Sequence, residues 1–289
     1  MSVSGRLAPP AGFTPAPARP ASTLILLREH EGETQTLLLR RSNDIDFAAG
    51  ALVFPGGRLE EADRDPHLLA RTHGVAGYAP ELAALIVAAI RETFEESGLL
   101  MARQEGEDAL VEPARAAAFA PKREAIAQSA LSFRAFLEAE KLALAGDLIR
   151  PLCRWVTPWW QPKRYDTYFF IGMAPAGQEA LHEGREALES LWISAKRARK
   201  AAAAGRVRLM TPTACHLERM ERVAGLAETL AIEGAALDAP IEPYLEPYGG
   251  GYRMGLDLPA GYRFRAREGL SLEQLGIRGA LAAALAEIG

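Results

Sequence analysis

Cysteine is nearly absent from this chain: Cys153 and Cys215 are the only two, and their number and separation argue against a disulfide scaffold or a cysteine-rich zinc site. A reducing cytoplasm is therefore the expected compartment. Lysine is scarce as well, five residues against 28 arginines, and with the abundant alanine this points to a GC-rich bacterial gene. No run approaches the roughly 18 apolar residues of a membrane span, and the last residues carry no peroxisomal tripeptide of the Ser-Lys-Leu kind. Positive charge is not in excess. A net charge of −4 gives no support to broad nucleic-acid or anionic-membrane binding, so any phosphate must be met by local arginines.

What is present is enough apolar sequence for a full core: 49% of residues are hydrophobic and 24% charged, as in one large globular domain. Residues 1–21 are rich in proline and alanine, lack the apolar core of a signal peptide and read as a mobile or loosely docked tail. Residues 22–289 are then the folded domain.

The most informative stretch spans residues 54–99. Its second half reads as a helix, because Pro80 suits a first helical position, Leu82, Ile86, Ile90 and Phe94 recur every four residues, and Gly98 suits the C-cap. With Glu92 at zero, Glu95 falls at about 300° and Glu96 at about 40°, so three carboxylates share one face. Such like charges repel in an isolated helix. They fit either a solvated acidic face or a site for a hard cation, since Mg²⁺ and Mn²⁺ prefer carboxylate oxygens. The preceding turn, Phe54-Pro55-Gly56-Gly57, favours the second reading, because paired glycines let the backbone bend sharply and approach a ligand closely.

Phe-Pro-Gly-Gly followed by Arg91-Glu92-Thr93-Phe94-Glu95-Glu96-Ser97-Gly98-Leu99 resembles the Nudix box, the loop-helix-loop motif of diphosphate hydrolases. Gly57 fits the first glycine of that box, and Asp63 stands where glutamate is expected. Residues 64–90 place 27 residues in a gap of seven, and Thr93 replaces an aliphatic residue. A box interrupted in this way resembles the acyl-coenzyme A diphosphatases of the peroxisomal type and their bacterial relatives. The lead-in resembles that branch too, with Leu38-Leu39-Arg40-Arg41-Ser42, an apolar Phe47, a small Ala49 and Gly50; Asp46 and Ala48 depart from the small coenzyme A pyrophosphatases. A third likeness is Trp155-Val156-Thr157-Pro158 followed by residues 163–170.

The resemblance implies an α/β Nudix fold, a mixed sheet between helices, with a box insertion at residues 64–79 and a helical cap over about 101–150. It implies Mg²⁺ or Mn²⁺ held by Glu92, Glu95 and Glu96 with a main-chain oxygen near Gly56 or Gly57. Glu92 either joins the metal shell or acts as general base, Arg91 holds the glutamates in place, Asp63 supports it, and Glu183 or Glu186 is the candidate loop glutamate. Arg40, Arg41, Lys163 and Arg164 are candidate phosphate ligands, although an arginine ending a strand or facing an aspartate is commonly structural. The expected reaction is hydrolysis of a diphosphate in coenzyme A or its acyl esters. A nucleoside diphosphate sugar or other nucleotide is the alternative substrate, and a nucleotide-sensing module without turnover is the alternative class.

Elsewhere the periodicity predicts a strand pair at 22–28 and 35–40, a helical run over 113–146, a second strand pair at 152–158 and 164–171, an amphipathic helix over 211–234, and short strands near Tyr244 and Tyr252.

Overall fold

A computed structural model of the protein describes residues 5–42, 50–181 and 187–286. Its strands are β1 (Ala18–His30), β2 (Glu33–Arg41), β3 (Ala51–Val53), β4 (Gly56–Arg58), β5 (Ala102–Gln104), β6 (Leu142–Leu144), β7 (Ile149–Val156), β8 (Arg164–Met173), β9 (Ala187–Ile193), β10 (Arg208–Leu209), β11 (Pro243–Tyr248), β12 (Gly251–Leu256) and β13 (Arg267–Leu270). Its α-helices are α1 (Pro66–Ala70), α2 (Pro80–Ser97), α3 (Pro113–Ala118), α4 (Ala120–Ala127), α5 (Phe133–Glu140), α6 (Ala195–Ala203), α7 (Thr211–Glu221), α8 (Gly225–Leu230) and α9 (Gly279–Ala286). Among the described residues no helix is long and apolar enough to cross a membrane.

The chain divides into two units. The mixed sheet runs in the order β10-β3-β2-β1-β8-β7, with β4 joined to β1 and β9 to β2, and the larger unit, residues 21–152 and 168–234, holds all of it except residues 18–20 of β1, 153–156 of β7 and 164–167 of β8. In it β1 and β2 pair antiparallel, His30 opposite Glu33, and both linking residues have positive φ, 52° at Glu31 and 73° at Gly32. That is the geometry a two-residue hairpin requires, and it fixes the register of both strands. Alternate residues of this hairpin, Leu24, Leu26, Leu37 and Leu39, share one core with Ile86, Val87, Ile90 and Phe94 of α2. The box helix therefore lies on the sheet by its apolar face and turns its carboxylates elsewhere. It ends where Gly98 takes a left-handed conformation, φ 75°, and donates its N–H to the Phe94 carbonyl at 2.8 Å.

Three elements differ from the sequence reading. The helix expected over 211–234 is two, α7 and α8, and the second begins at Gly225, whose φ is 73°. The insertion carries a short helix, α1, capped by Asp65, whose carboxylate accepts the His67 N–H at 2.8 Å. The stretch expected as a helical cap holds α3, α4 and α5 between two strands, β5 and β6, paired antiparallel with Ala102 opposite Leu144. Leu142 belongs to β6 rather than to a helix, because Lys141 at φ 53° ends α5, and three-residue strands are too short to show a period of two. The aromatics of this segment are core: Phe136 stacks on Phe94 of α2 at 5.4 Å between ring centroids.

The smaller unit comprises residues 1–20, 153–167 and 235–289 and contains the antiparallel sheet β11-β12-β13. Trp160, Leu245, Tyr252, Met254 and Ile277 form its core. The Pro- and Ala-rich N-terminal stretch belongs to it, with the Leu7 N–H donating to the Leu245 carbonyl at 2.8 Å and Arg6 paired with Asp257 at 2.6 Å.

Candidate active site

The site is assembled where the glycine turn meets the polar face of α2. The β4 strand pairs with β1, Thr23 opposite Gly56 and Ser22 opposite Gly57, and this brings the turn under the helix. A Cβ at Gly56 would lie 2.3 Å from the Ser22 carbonyl oxygen, and one at Gly57 would lie 2.4 Å from the Glu92 carboxyl group. At Gly56 the obstacle is backbone and only glycine fits, whereas at Gly57 a side chain would displace the Glu92 carboxyl group. The Gly56 N–H, so exposed, donates to Glu96 Oε2 at 2.8 Å.

Arg91 organises the rest. Its Nε and Nη2 donate to the two oxygens of Asp63 at 2.8 and 2.9 Å, Nη2 also reaches the Arg58 carbonyl at 3.0 Å, and Nη1 donates to Glu92 at 3.0 Å and Glu95 at 3.1 Å. Both members of the Arg91 and Asp63 pair are buried, with side chains 6% and 1% exposed. The Asp63 carboxylate also accepts the Glu60 N–H at 2.8 Å, which orients it toward Arg91. The insertion thus leaves the two halves of the motif hydrogen-bonded to each other across 28 positions. Thr93 satisfies its own hydroxyl by donating to the Ala89 carbonyl at 2.7 Å, so a buried polar residue is accommodated without disturbing the helix.

One guanidinium among so many carboxylates leaves negative charge unbalanced. Burial pushes the Glu92 carboxyl up to about 7, with Arg91 opposing and Glu95 and Asp63 adding to the rise. Glu95 is raised as well, by burial first and then by Glu60 and Asp63, against the pull of Arg91. For Arg91 burial works to lower its pKa, and the hydrogen bond to Asp63 with the charges of Glu92, Asp63 and Glu95 outweighs it. Glu60 was not singled out from the sequence; its place three residues before Asp63 at the start of a 3-10 turn was the available signal.

The other expected residues are more dispersed. Arg40 donates to Glu189 of β9 at 2.9 Å, and Arg41 follows it on β2 opposite Ala187. Lys163 and Arg164 belong to the smaller unit. The three guanidinium nitrogens of Arg164 are committed to the Thr157 carbonyl, the Ala16 carbonyl and Glu242, at 2.8, 3.1 and 3.0 Å. Glu183 and Glu186 lie outside the described residues, as do Asp46, Phe47, Ala48 and Ala49.

The model of the NUDT19 Nudix domain matches residues 64–220, just over half of the chain. The chain belongs to this Nudix family. A crystal structure of a Nudix hydrolase from Alicyclobacillus acidocaldarius is similar at a TM-score of 0.61 and 28% identity, covering 76% of this chain and 98% of that one. The Nudix domain of Shewanella oneidensis NrtR, in complex with ADP ribose, aligns at 12% identity and TM-score 0.38 over 72% of this chain and 91% of its own. A MutT protein from Methanosarcina mazei aligns at 16% and 0.38 over 71% and 94%. Neither of these last two bears on the fold. The Nudix family and the Alicyclobacillus relative identify the chain as a diphosphate hydrolase.

Nudix hydrolases generally use divalent metal ions. Oxygen donors on one face of α2, beside a glycine whose missing Cβ leaves room for the Glu92 carboxyl, fit a hard cation in kind. In the arrangement seen, Arg91 takes Glu92 and Glu95 and the Gly56 N–H takes Glu96, and among the described residues no three His, Cys, Asp or Glu side chains converge on one point. Arg91 and the glycine turn hold the carboxylates at the turn, with Asp63 fixing Arg91 in its place.

Proposed function

We propose that this Nudix enzyme hydrolyses the diphosphate of coenzyme A or its acyl esters, giving a 4′-phosphopantetheine product and adenosine 3′,5′-bisphosphate. The observation that carries the reading is the interrupted box: α1 and its flanking turns stand between Asp63 and Arg91, and the motif nevertheless closes on itself. The same interruption is the feature shared with the acyl-coenzyme A branch, and the lead-in at residues 38–42 and the segment 155–170 point the same way.

In this reading Glu92, Glu95 and Glu96 with a Gly57 main-chain oxygen would hold Mg²⁺ or Mn²⁺, which would supply charge neutralisation on the diphosphate and acidify water. A water oxygen bonds to one phosphorus, the bridging oxygen leaves with the other phosphate, and the water proton passes to a carboxylate. Glu92, Glu183 and Glu186 are the candidates for that proton. Arg91 and Asp63 position the glutamates and take no part in the bond changes. Arg40, Arg41, Lys163 and Arg164 remain the candidate partners for the 3′-phosphate, and Arg40 and Arg164 would have to exchange protein acceptors for it.

The test is product analysis by chromatography and mass spectrometry over a panel of coenzyme A, acyl esters, 3′-dephospho-coenzyme A, a nucleoside diphosphate sugar and an oxidised nucleotide, each with Mg²⁺ or Mn²⁺. Cleavage of coenzyme A or its esters to the two named products is expected, with lower kcat/KM once the 3′-phosphate is removed. Survival of every coenzyme A compound while the sugar nucleotide is cleaved overturns the substrate and leaves the hydrolase standing.

A further inference from the structure

A cleft of about 520 Å³ opens beside the box, within the larger unit and separate from the turn that receives Glu96. Its inner end is made by Arg91, Asp63, Glu60 and Glu95, and its far wall by Ile126 of α4 and the segment leading into α5. The chain turns there at Ser129, which holds a left-handed φ of 57°, while Ala130 and Leu131 donate their N–H groups back to the Ala125 carbonyl. Leu131 and Phe133 of that segment line the cleft together with Leu68 of α1. The insertion in the box and the segment after it thus both line one cavity, which lies within the roughly 300–1,000 Å³ of small-molecule sites.

The walls discriminate by charge. Glu60, Asp63, Asp65, Glu95 and Glu138 face the cleft and, among the described residues lining it, Arg91 and Arg134 are the cations, both already paired with these carboxylates. Even with a cation held at Glu95, the carboxylates of Glu60, Asp63, Asp65 and Glu138 disfavour a further phosphate in the cleft. An uncharged chain is accepted, its apolar parts against Ile126, Leu131 and Phe133 and its amides within reach of the Ser129 and Ser132 hydroxyl groups.

The geometry points to this cleft as the site for the uncharged, amide-bearing arm that leaves the diphosphate on the side away from the nucleotide. This rests on the coenzyme A reading, and it assigns the orientation of that substrate: the pantetheine arm enters between α1 and α5, and the 3′-phosphorylated nucleoside is excluded from that side. Leu131 and Ala135 are then specificity residues that act by shape.

Leu131→Trp and Ala135→Trp, the second on an exposed position of α5 where a larger side chain does not strain the core, both fill the cleft. Steady-state kinetics on coenzyme A should show KM raised about tenfold or more with kcat within about threefold of wild type. Neutral pantetheine should compete with coenzyme A in the wild type and lose about tenfold in inhibition in either variant, while adenosine 3′,5′-bisphosphate inhibits all three proteins alike. Hydrolysis of coenzyme A with KM and pantetheine inhibition unchanged in Ala135→Trp overturns the cleft assignment and leaves the substrate reading intact. Where coenzyme A proves not to be a substrate, calorimetric titration of pantetheine into wild type and Ala135→Trp still decides: binding lost in the variant supports the cleft, and equal heats or none overturn it.

Discussion

The two units each hold arginines bound to carboxylates, and the stoichiometry differs. In the smaller unit Arg154 meets Asp166 by two parallel hydrogen bonds of 2.7 Å, one cation for one anion, as neighbouring strands commonly arrange. In the larger unit Arg91 makes the same two-pronged contact to Asp63 and then shares its remaining nitrogen between Glu92 and Glu95. The first pair is balanced. The second leaves carboxylates that are raised first by burial and then by one another, and the pull of Arg91 does not offset this. Unbalanced buried charge costs stability.

The largest expected effect breaks that contrast directly. Arg91→Met strands Asp63, which is 1% exposed, without a countercharge, and should cost about 3–5 kcal/mol in chemical denaturation. Arg154→Met removes a pair whose side chains are 26% and 18% exposed and should cost about 1–2 kcal/mol. Equal costs would mean that burial of the box arginine matters less than its geometry suggests.

Next in size is Glu96→Gln. The amide oxygen can still accept the Gly56 N–H, so the fold should be kept, with melting temperature within a few degrees of wild type. The lost negative charge should lower kcat at least about a hundredfold, on the order of 3 kcal/mol of barrier. A near wild-type rate at saturating Mg²⁺ would remove Glu96 from the metal shell and would make its role that of a clasp on the glycine turn.

The box helix was legible because everything that fixes it is local: Pro80, the apolar spacing, and Gly98 at the cap. The hairpin at Glu31 and Gly32 was legible for the same reason. What could not be read is what joins distant positions. The Gly56 N–H and Glu96 are 40 residues apart, Arg164 and Glu242 are 78 apart, and no pattern in either segment announces its partner. Arg164 looked like a phosphate ligand beside Lys163, and its commitment to Glu242 emerges only once the strands are paired. The strands β5 and β6 were missed because a period of two needs more than three residues to show.

A smaller effect concerns His216, buried between the rings of Phe54 and Phe169 at 6.1 and 4.7 Å, with Arg219 also acting on it. Burial, and then the Arg219 charge, lowers its pKa from 6.5 to about 3, so the folded protein keeps it neutral while the unfolded chain takes up a proton below pH 6.5. The stability this contributes is present above pH 6.5 and is lost as pH falls toward 3. Between pH 7 and 5.5 the loss should be about 1 kcal/mol, and urea titrations of His216→Phe should show it removed from the acid slope. An unchanged slope would assign the acid sensitivity to other groups.

The smallest effect concerns the N-terminal stretch and sharpens the contrast from the exposed end. Arg6 is paired with Asp257 and lies over the Tyr244 ring at 3.7 Å, and Phe13 meets the edge of Trp159 at 5.9 Å. These are the contacts of a docked strap, but Asp257 is 70% exposed, and an ion pair so well solvated contributes only about 0.5–1 kcal/mol. Arg6→Ala should therefore shift the urea midpoint slightly, and the shift should shrink further in about 0.5 M salt, since charges at the surface are screened over a few ångströms there. Asp63→Asn, whose partner is buried, should show no such salt dependence. If Arg6→Ala proved as costly as the loss of Arg91, stability would be set by the number of hydrogen bonds an arginine makes and not by its removal from water.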